Sequence, residues 1–182
     1  MAKICTNEKT AARQQWIEDG LLELMQERKF ESIAVSDLCR HIDLSRRSFY
    51  RYFNNIEDVL DSMMHHAFQD MAIQNTPFTL KELTASYEFW YHHKPLLNAL
   101  IQSDMHGKIV EYTLKYTDGV TLKNYLSRED LVMDISREMI LFVVTGLSSL
   151  LISWHSENFQ KTPEQMGRIA YRLLYAPILP SK

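Results

Sequence analysis

The stretch Ser45-Arg46-Arg47-Ser48-Phe49-Tyr50-Arg51-Tyr52-Phe53 decides how the N-terminal part of the chain folds. Phe49 and Phe53 are its only large, purely apolar side chains, and their spacing of four predicts one helix, residues 46–53, that buries both. Ser45 directly precedes this helix and is expected to cap its N-terminus. On the same helical wheel, Arg47 and Arg51 point away from the core. The stretch therefore predicts a short helix that presents two arginines to the solvent.

The residues before this stretch predict two more helices and a tight turn. Apolar residues at three- and four-residue spacing indicate a helix over residues 7–28, and a second, short helix is expected over residues 35–41. Asp43-Leu44-Ser45 is interpreted as the turn, in which Asp43 tolerates a left-handed backbone conformation. Two short helices that are joined by a tight turn and packed on a longer one form a helix-turn-helix.

Positive charge is concentrated on this segment. The 182-residue chain has a formal net charge of -3, yet residues 40–53 contain four arginines and a single acidic residue. On a helix that lies in the major groove of DNA, the outermost side chains meet base edges and the flanking ones meet phosphates. We therefore predict that Arg47 and Arg51 read bases; the alternative is that they only solvate an exposed helix face. The predicted phosphate contacts are Arg46, Ser48, Tyr50 and Tyr52.

The rest of the chain also predicts helices and no strands. All five prolines lie beyond residue 76 and glycine is scarce, so little interrupts helical periodicity. Helices are expected over residues 56–74, 79–93, 95–103, 105–125, 129–154 and 163–174. The longest uncharged stretch, residues 139–154, is shorter than the roughly 20 residues of a membrane span. With two cysteines and no signal-peptide pattern, we expect a cytoplasmic protein without a membrane partner.

Residues 7–64 resemble the DNA-binding domain of the TetR (tetracycline repressor) family of transcriptional regulators. The most specific match is Tyr50 followed by Phe53 after a serine-capped turn. The other matching positions are Ile17, Leu24, Met25, Phe30, Val35, Asp37 and Leu38. The resemblance implies an all-α protein with a helix-turn-helix domain, residues 1–55, and a helical ligand-sensing and dimerisation domain, residues 56–182. It also implies a homodimer that binds a palindromic operator in double-stranded DNA, usually as a repressor, and responds to a small-molecule effector.

Some positions depart from the family pattern. Ala34 stands where the family usually has a phosphate-contacting threonine, which transfers that role to Ser36. Ile56 replaces a common lysine at the start of the fourth helix. Lys29 and Asp43 occupy positions where glycine is frequent, so both turns are expected to be strained or altered. We expect a modest DNA affinity, and Ser36 and Ser45 join the residues predicted to contact DNA.

Two groups of apolar residues are candidate functional surfaces in the C-terminal part. The long apolar helix and the last helix are expected to form the dimer interface, the alternative being the core of the domain. The predicted interface residues are Phe142, Val143, Leu147, Leu150, Leu151, Trp154, Ile169 and Leu173. Aromatic residues at helical spacing predict an effector pocket, again with the core as the alternative. The predicted pocket residues are Phe68, Tyr87, Trp90, Tyr91, Tyr112 and Tyr116.

The seven histidines raise the question of a metal site. Asp61 with His65, and Glu88 with His92, are four residues apart, which is a workable ligand spacing on a helix. However, the zinc and di-iron motifs are absent, as are the nucleophile elbow and the phosphate-binding glycine loop. We therefore predict no metal, no cofactor and no enzymatic activity. The alternative function is a helical small-molecule- or metal-binding protein, or an enzyme, whose helix-turn-helix does not bind DNA.

Overall fold

The computed structural model of the chain describes residues 8–70, 79–117 and 137–175, and these ranges contain helices and no strand. The helices are α1 Glu8–Glu27, α2 Val35–His41, α3 Arg46–Phe49, α4 Ile56–Asp70, α5 Leu80–His92, α6 Lys94–Gln102, α7 His106–Thr117, α8 Arg137–Ser156 and α9 Pro163–Tyr175. A 3₁₀ turn, Phe30–Ser32, follows α1. The all-α prediction is confirmed. None of the described helices is long and apolar enough to cross a membrane.

Packing divides the chain into two compact units. The first contains residues 8–70 and also residues 95–105, whereas the second contains residues 79–94, 106–117 and 137–175. The chain passes from the second unit into the first between Lys94 and Pro95. Nearly all of α6 therefore belongs to the same unit as α1 to α4, although 23 residues separate it from the end of α4.

The core of the first unit is built from α1, α2, α4 and α6. Leu21 and Met25 of α1 are fully buried, as are Leu97 and Leu100 of α6. At Gly20 of α1, an added Cβ would overlap the side chain of an isoleucine at the end of α2. The close contact between α1 and α2 therefore depends on the missing side chain at this position.

Two polar contacts connect the end of α6 to the turn after α1. The Phe30 amide donates a buried hydrogen bond to Ser103 Oγ over 2.9 Å. The Lys29 ammonium lies 2.7 Å from Asp104 Oδ2, and this hydrogen bond raises the pKa of Lys29. Lys29 has φ -61°, an ordinary value for any residue. The expectation of strain at this position is therefore wrong, because its backbone does not need glycine.

The second unit contains α5, α7, α8 and α9, and its closest helix contact is between α5 and α9. A Cβ added to Gly167 of α9 would lie 2.8 Å from Thr84 Cα and 2.9 Å from Thr84 N, both backbone atoms of α5. Trp154 of α8 is 1% exposed, and its ring meets that of Tyr87 edge to face at 5.6 Å. This core thus has small residues where α5 meets α9, and large aromatic rings fill it elsewhere.

Candidate nucleic-acid interface

The turn between α2 and α3 has the predicted left-handed residue. Asp43 has φ 49°, a conformation that costs a non-glycine residue roughly 1–2 kcal/mol. The turn is closed by a 2.8 Å hydrogen bond from the Leu44 amide to the Cys39 carbonyl. Ile42 and Leu44, on either side of Asp43, are both buried. These two anchors hold the strained residue in place and fix where α3 begins.

Helix α3 is capped as predicted but is shorter than predicted. Ser45 Oγ accepts a hydrogen bond from the Ser48 amide over 3.1 Å, which confirms Ser45 as the N-cap. The α-helix ends at Phe49, and the prediction of a regular helix through residue 53 is wrong. The amides of Arg51 and Tyr52 instead bond to carbonyls three residues earlier, at 3.2 and 2.9 Å. The chain tightens here into 3₁₀-like turns.

The orientation predicted for the two arginines is confirmed. Phe49 and Phe53 are 0% and 1% exposed, and their rings lie 6.0 Å apart. Arg47 and Arg51 are exposed, and neither guanidinium group has a hydrogen bond or ion pair within the described part of the chain. Residues four apart differ by about 40° on a regular α-helix. Each residue wound at three residues per turn rotates by about 20° more than one in an α-helix, so Arg47 and Arg51 are attached further apart around the axis than on a regular α-helix.

The remaining predicted DNA contacts differ in exposure. Exposed residues are Ser36, Ser45, Arg46 and Tyr50, and half-buried residues are Ser48 and Tyr52. The Tyr50 ring meets that of Phe49 edge to face at 5.5 Å, and Tyr50 is 44% exposed. DNA contact by any of these residues stays a prediction.

Asp37 has a larger role than the sequence indicates. Its Oδ2 accepts a 3.0 Å hydrogen bond from the Ala34 amide, so a carboxylate satisfies the first turn of α2 where Ala34 has no capping side chain. The same carboxylate lies 3.6 Å from Arg28 and 3.4 Å from Arg40. The spacing of three between Asp37 and Arg40 would have predicted one of these pairs. The pair with Arg28 joins α2 to the end of α1, which no local pattern indicates.

At the start of α4, buried side chains stand where the family commonly has a lysine. Ile56 is 5% exposed and belongs to the core. Asp58 Oδ2 accepts hydrogen bonds from the Asn54 amide at 3.1 Å and from Asn54 Nδ2 at 2.5 Å. The Asp58 amide in turn donates to Asn55 Oδ1. Burial raises the pKa of Asp58, but the pKa is lowered on balance, and the hydrogen bonds from Asn54 are the largest of the contributions that lower it.

The predicted pocket residues are distributed over both units. Phe68 is buried in the first unit, and Tyr87, Trp90 and Tyr112 are buried in the second. Tyr91 is 39% exposed, and the side chain of Tyr116 lies outside the described residues. Burial raises the pKa of Tyr87, and its hydroxyl has no hydrogen-bond partner among the described residues. A buried hydroxyl in this state is unfavourable unless a ligand or water completes it.

The predicted interface residues divide into three groups by exposure. Val143, Leu151 and Trp154 are buried within the second unit, so these three belong to its own core and not to its surface. Phe142 and Leu173 are 78% and 59% exposed. Half-buried residues are Leu147, Leu150 and Ile169. Each of the two helices thus has one apolar side inside the unit and another on its surface.

The described histidines do not form a metal site. No group of three or more His, Cys, Asp or Glu side chains is placed to hold a metal within residues 8–70, 79–117 and 137–175. His65 Nε2 lies 2.8 Å from the Gln69 side chain. His66 Nδ1 lies 3.0 Å from Oε2 of Glu18, which is 1% exposed. This pair joins α1 to α4 inside the first unit.

Comparison with known proteins assigns the N-terminal domain. Residues 17–63 match the family model of bacterial regulatory proteins, tetR family. The chain is 29% identical over 70 residues to the HTH-type dhaKLM operon transcriptional activator DhaS of Lactococcus lactis subsp. lactis (strain IL1403). That match covers 38% of this chain and only 37% of the relative's length.

Solved structures extend the similarity over nearly the whole chain. The TetR transcriptional regulator from Streptococcus agalactiae 2603V has a TM-score of 0.71 at 15% identity, covering 91% of this chain and 95% of that one. The dihydroxyacetone kinase operon activator DhaS has a TM-score of 0.60 at 19% identity, covering 90% and 94%. At this level of identity the likeness concerns the fold. Residues 17–63 therefore match the helix-turn-helix model of the tetR family, and the fold over nearly the whole chain is similar to that of these solved regulators.

Proposed function

We propose that this protein is a ligand-responsive transcriptional regulator that binds a palindromic operator as a homodimer. The observation that carries the proposal is the pair of exposed arginines, Arg47 and Arg51, on a helix whose opposite side is anchored by Phe49 and Phe53. Buried rings fix the backbone, so the two guanidinium groups are presented from a rigid support. Guanidinium groups in the major groove pair with guanine through two hydrogen bonds.

Base reading and phosphate contact are expected from different residues. Arg47 and Arg51 extend furthest from the core, and we assign them to base edges. We assign the phosphate backbone to Ser36, Ser45, Arg46, Ser48, Tyr50 and Tyr52. Ser45 already accepts the Ser48 amide through its hydroxyl oxygen, so its contribution to DNA binding includes holding the N-terminus of α3.

The DNA-binding proposal is tested with purified full-length protein and genomic fragments from the organism that encodes it. Selected fragments are titrated with the wild type, Arg47→Ala and Arg51→Ala in a fluorescence-anisotropy assay. Loss of a bidentate contact to guanine should weaken specific binding by about 1–3 kcal/mol, or roughly 5- to 150-fold. Arg46→Ala should instead weaken specific and non-specific binding alike and lower the salt dependence by about one phosphate.

A matched control separates specific contacts from general loss of charge. Arg168→Ala removes an exposed arginine of α9 that is paired with Glu164 over 2.7 Å, and it should leave DNA affinity unchanged. Equal affinities for Arg47→Ala, Arg51→Ala and the wild type would contradict the proposal and favour the alternative of a helical ligand-binding protein.

Dimerisation is proposed through the outer sides of α8 and α9. Besides Phe142 and Leu173, the same two helices carry Leu141, Tyr171 and Tyr175, which are all at least 39% exposed. Apolar groups concentrated on one surface are typical of subunit interfaces. Phe142→Asp should shift the protein from dimer to monomer in sedimentation velocity. Leu80→Asp, at another exposed leucine, is the control and should leave the dimer intact.

An effector site is proposed in the second unit around Tyr87. Its orphaned hydroxyl supports a ligand that supplies a hydrogen-bond acceptor, and the Tyr87 ring meets that of Trp154 edge to face. We assign Trp90 and Tyr112, which are also buried in this unit, to the same site. Electron density or a mass-spectrometric signal from protein purified under native conditions would identify such a ligand. Absence of any ligand-dependent change in DNA affinity across a metabolite panel would contradict the ligand-responsive part of the proposal.

The direction of regulation has two candidates. Repression is the usual mode of regulation in the family that residues 7–64 resemble. Activation is favoured by the similarity to DhaS, which is named as a transcriptional activator and is similar in both sequence and structure. A reporter placed behind the bound operator separates the two, because deleting the gene raises expression under repression and lowers it under activation.

A further inference from the structure

The ammonium group of Lys94 lies against two rings of an aromatic cluster in the second unit. The Lys94 Nζ lies 3.4 Å from the centre of the Tyr91 ring and 4.7 Å from that of Phe159. Trp154 stacks with Tyr91 at 5.9 Å and meets Phe159 edge to face at 4.9 Å. Aromatic faces at these distances attract cations through the ring quadrupole. We call the three rings of Tyr91, Trp154 and Phe159 the aromatic clamp.

The charge of Lys94 is met by ring faces and not by a carboxylate. Within the described ranges, Lys94 has no ion pair, and Tyr91 and Phe159 are its cation–π partners. The nearby carboxylate of Glu157 is paired with Lys161 over 2.5 Å. Burial lowers the pKa of His155, whose ring faces Phe159, so this imidazole does not add a second positive charge at neutral pH. The clamp therefore presents a neutral aromatic surface to one cation.

A strained backbone places Phe159 in the clamp. Asn158 and Phe159 follow α8 with φ 54° and 56°, two consecutive left-handed residues of which neither is glycine. Phenylalanine in this region is an outlier, and such strain persists only where the surroundings enforce it. Here the Phe159 amide bonds to the Trp154 carbonyl over 3.0 Å, and Trp154 Nε1 donates to the Lys161 carbonyl over 2.9 Å. The loop is thus tied down in the conformation that completes the ring cluster.

We propose that the aromatic clamp is a binding site for a small organic ammonium ion, which Lys94 occupies when the ligand is absent. Primary and quaternary ammonium groups are the cations that such ring clusters recognise. Tyr91 is 39% exposed, so the clamp is open to solvent on at least one side. The tethered Lys94 competes with a free ligand as an intramolecular cation of high effective concentration.

The position of Lys94 connects this site to regulation. Lys94 is the residue after which the chain leaves the second unit, because Pro95 belongs to the first. A ligand that displaces the Lys94 ammonium therefore changes the contacts of the last residue before the chain enters the first unit. This last step rests on the proposed function, whereas binding of an ammonium ion does not depend on DNA.

The test measures ammonium binding in the absence of DNA. Choline is titrated into full-length wild type, Lys94→Met and Lys94→Gln by isothermal titration calorimetry. Removing the tethered cation should tighten choline binding at least tenfold in both variants. The neutral isostere 3,3-dimethylbutan-1-ol should bind at least tenfold more weakly than choline, because it lacks the positive charge. Circular dichroism confirms that each variant is folded.

Matched variants locate the site. Tyr91→Leu or Phe159→Leu in the Lys94→Met background should weaken choline binding at least tenfold. Lys115→Met, which removes another ammonium 5.0 Å from the Tyr112 ring, should have no effect. Equal affinity for choline and its neutral isostere, or equal choline affinity of the wild type and both Lys94 variants, overturns the proposal. Neither result bears on DNA binding, which the arginine variants test separately.

Discussion

Replacing Gly167 with alanine should destabilise the second unit, although alanine is the better helix former. Gly167 lies within α9, where the change from glycine normally contributes about 1 kcal/mol of helix stability. The new Cβ, however, would lie 2.8 and 2.9 Å from the Cα and N of Thr84 and still closer to its hydroxyl. Real Cβ atoms essentially never come within 3.0 Å of another heavy atom. Two of the three obstructing atoms are backbone, so a rotamer change cannot relieve the overlap.

The magnitude follows from these opposing terms. Overpacking that shifts backbone costs about 1–3 kcal/mol, and occasionally more. Contacts between backbone atoms of two helices place Gly167→Ala at the upper end, so subtracting the gain in helix propensity leaves a net loss of about 2 kcal/mol. For a chain of this size that corresponds to a fall in Tm of about 4–8 °C.

The control is the same substitution at another helical glycine of the same unit. Gly146 of α8 is exposed, and a Cβ added there meets nothing within 4 Å. Gly146→Ala should therefore stabilise the subunit by up to about 1 kcal/mol. The double variant Thr84→Ala/Gly167→Ala should recover only part of the loss, because it removes the hydroxyl but leaves the backbone contacts.

The assay is urea unfolding followed by tryptophan fluorescence in a Trp16→Phe background. Of the three tryptophans, this substitution leaves Trp90 and Trp154, both in the second unit. If Gly167→Ala is as stable as its parent, or if Thr84→Ala restores stability completely, the close backbone approach of α5 and α9 is refuted.

Three further predictions concern buried polar groups. His66→Ala leaves the 1% exposed Glu18 without its imidazole partner and should cost about 1 kcal/mol in urea unfolding, a modest value because His66 is half exposed to water. Asp58→Asn should lower stability at pH 7, and because the pKa of Asp58 is lowered in the fold, the wild type should lose this advantage as the pH falls from about 5 towards 3. An advantage that persists unchanged at pH 3 would contradict the role of the hydrogen bonds from Asn54. Tyr87→Phe should leave Tm unchanged or raise it, since the hydroxyl that it removes has no partner in the described structure, and a clear loss of Tm would show that the hydroxyl is satisfied.

The helix-turn-helix was predictable because its signals are local. Ser45 caps the helix that follows, and Asp43 is one of the few residue types that adopt φ > 0. The point where α3 ends was not predictable in the same way. Apolar spacing of four at Phe49 and Phe53 fits both a regular helix and the tighter turns that occur here, since each buries both rings.

The candidate surfaces of the second unit were predicted less well because periodicity does not identify what covers an apolar side. Val143, Trp154 and Phe142 all lie on one apolar helix, yet two are buried within the subunit and the third is almost fully exposed. Which side faces inward depends on where α7 and α9 pack, and that is a long-range property. The clamp around Lys94 was likewise hidden, because Tyr91 and Phe159 are distant in the sequence.

The inclusion of α6 in the first unit limits how the helix-turn-helix can be transplanted. A fusion protein cut after α4 would take the recognition helix but leave behind Leu97 and Leu100, exposing the apolar surface that they cover. It would also lose the Ser103 hydroxyl that satisfies the Phe30 amide. Chimeras that exchange heads between regulators should therefore carry residues 95–105 along with the N-terminal helices, or rebuild that surface with polar side chains.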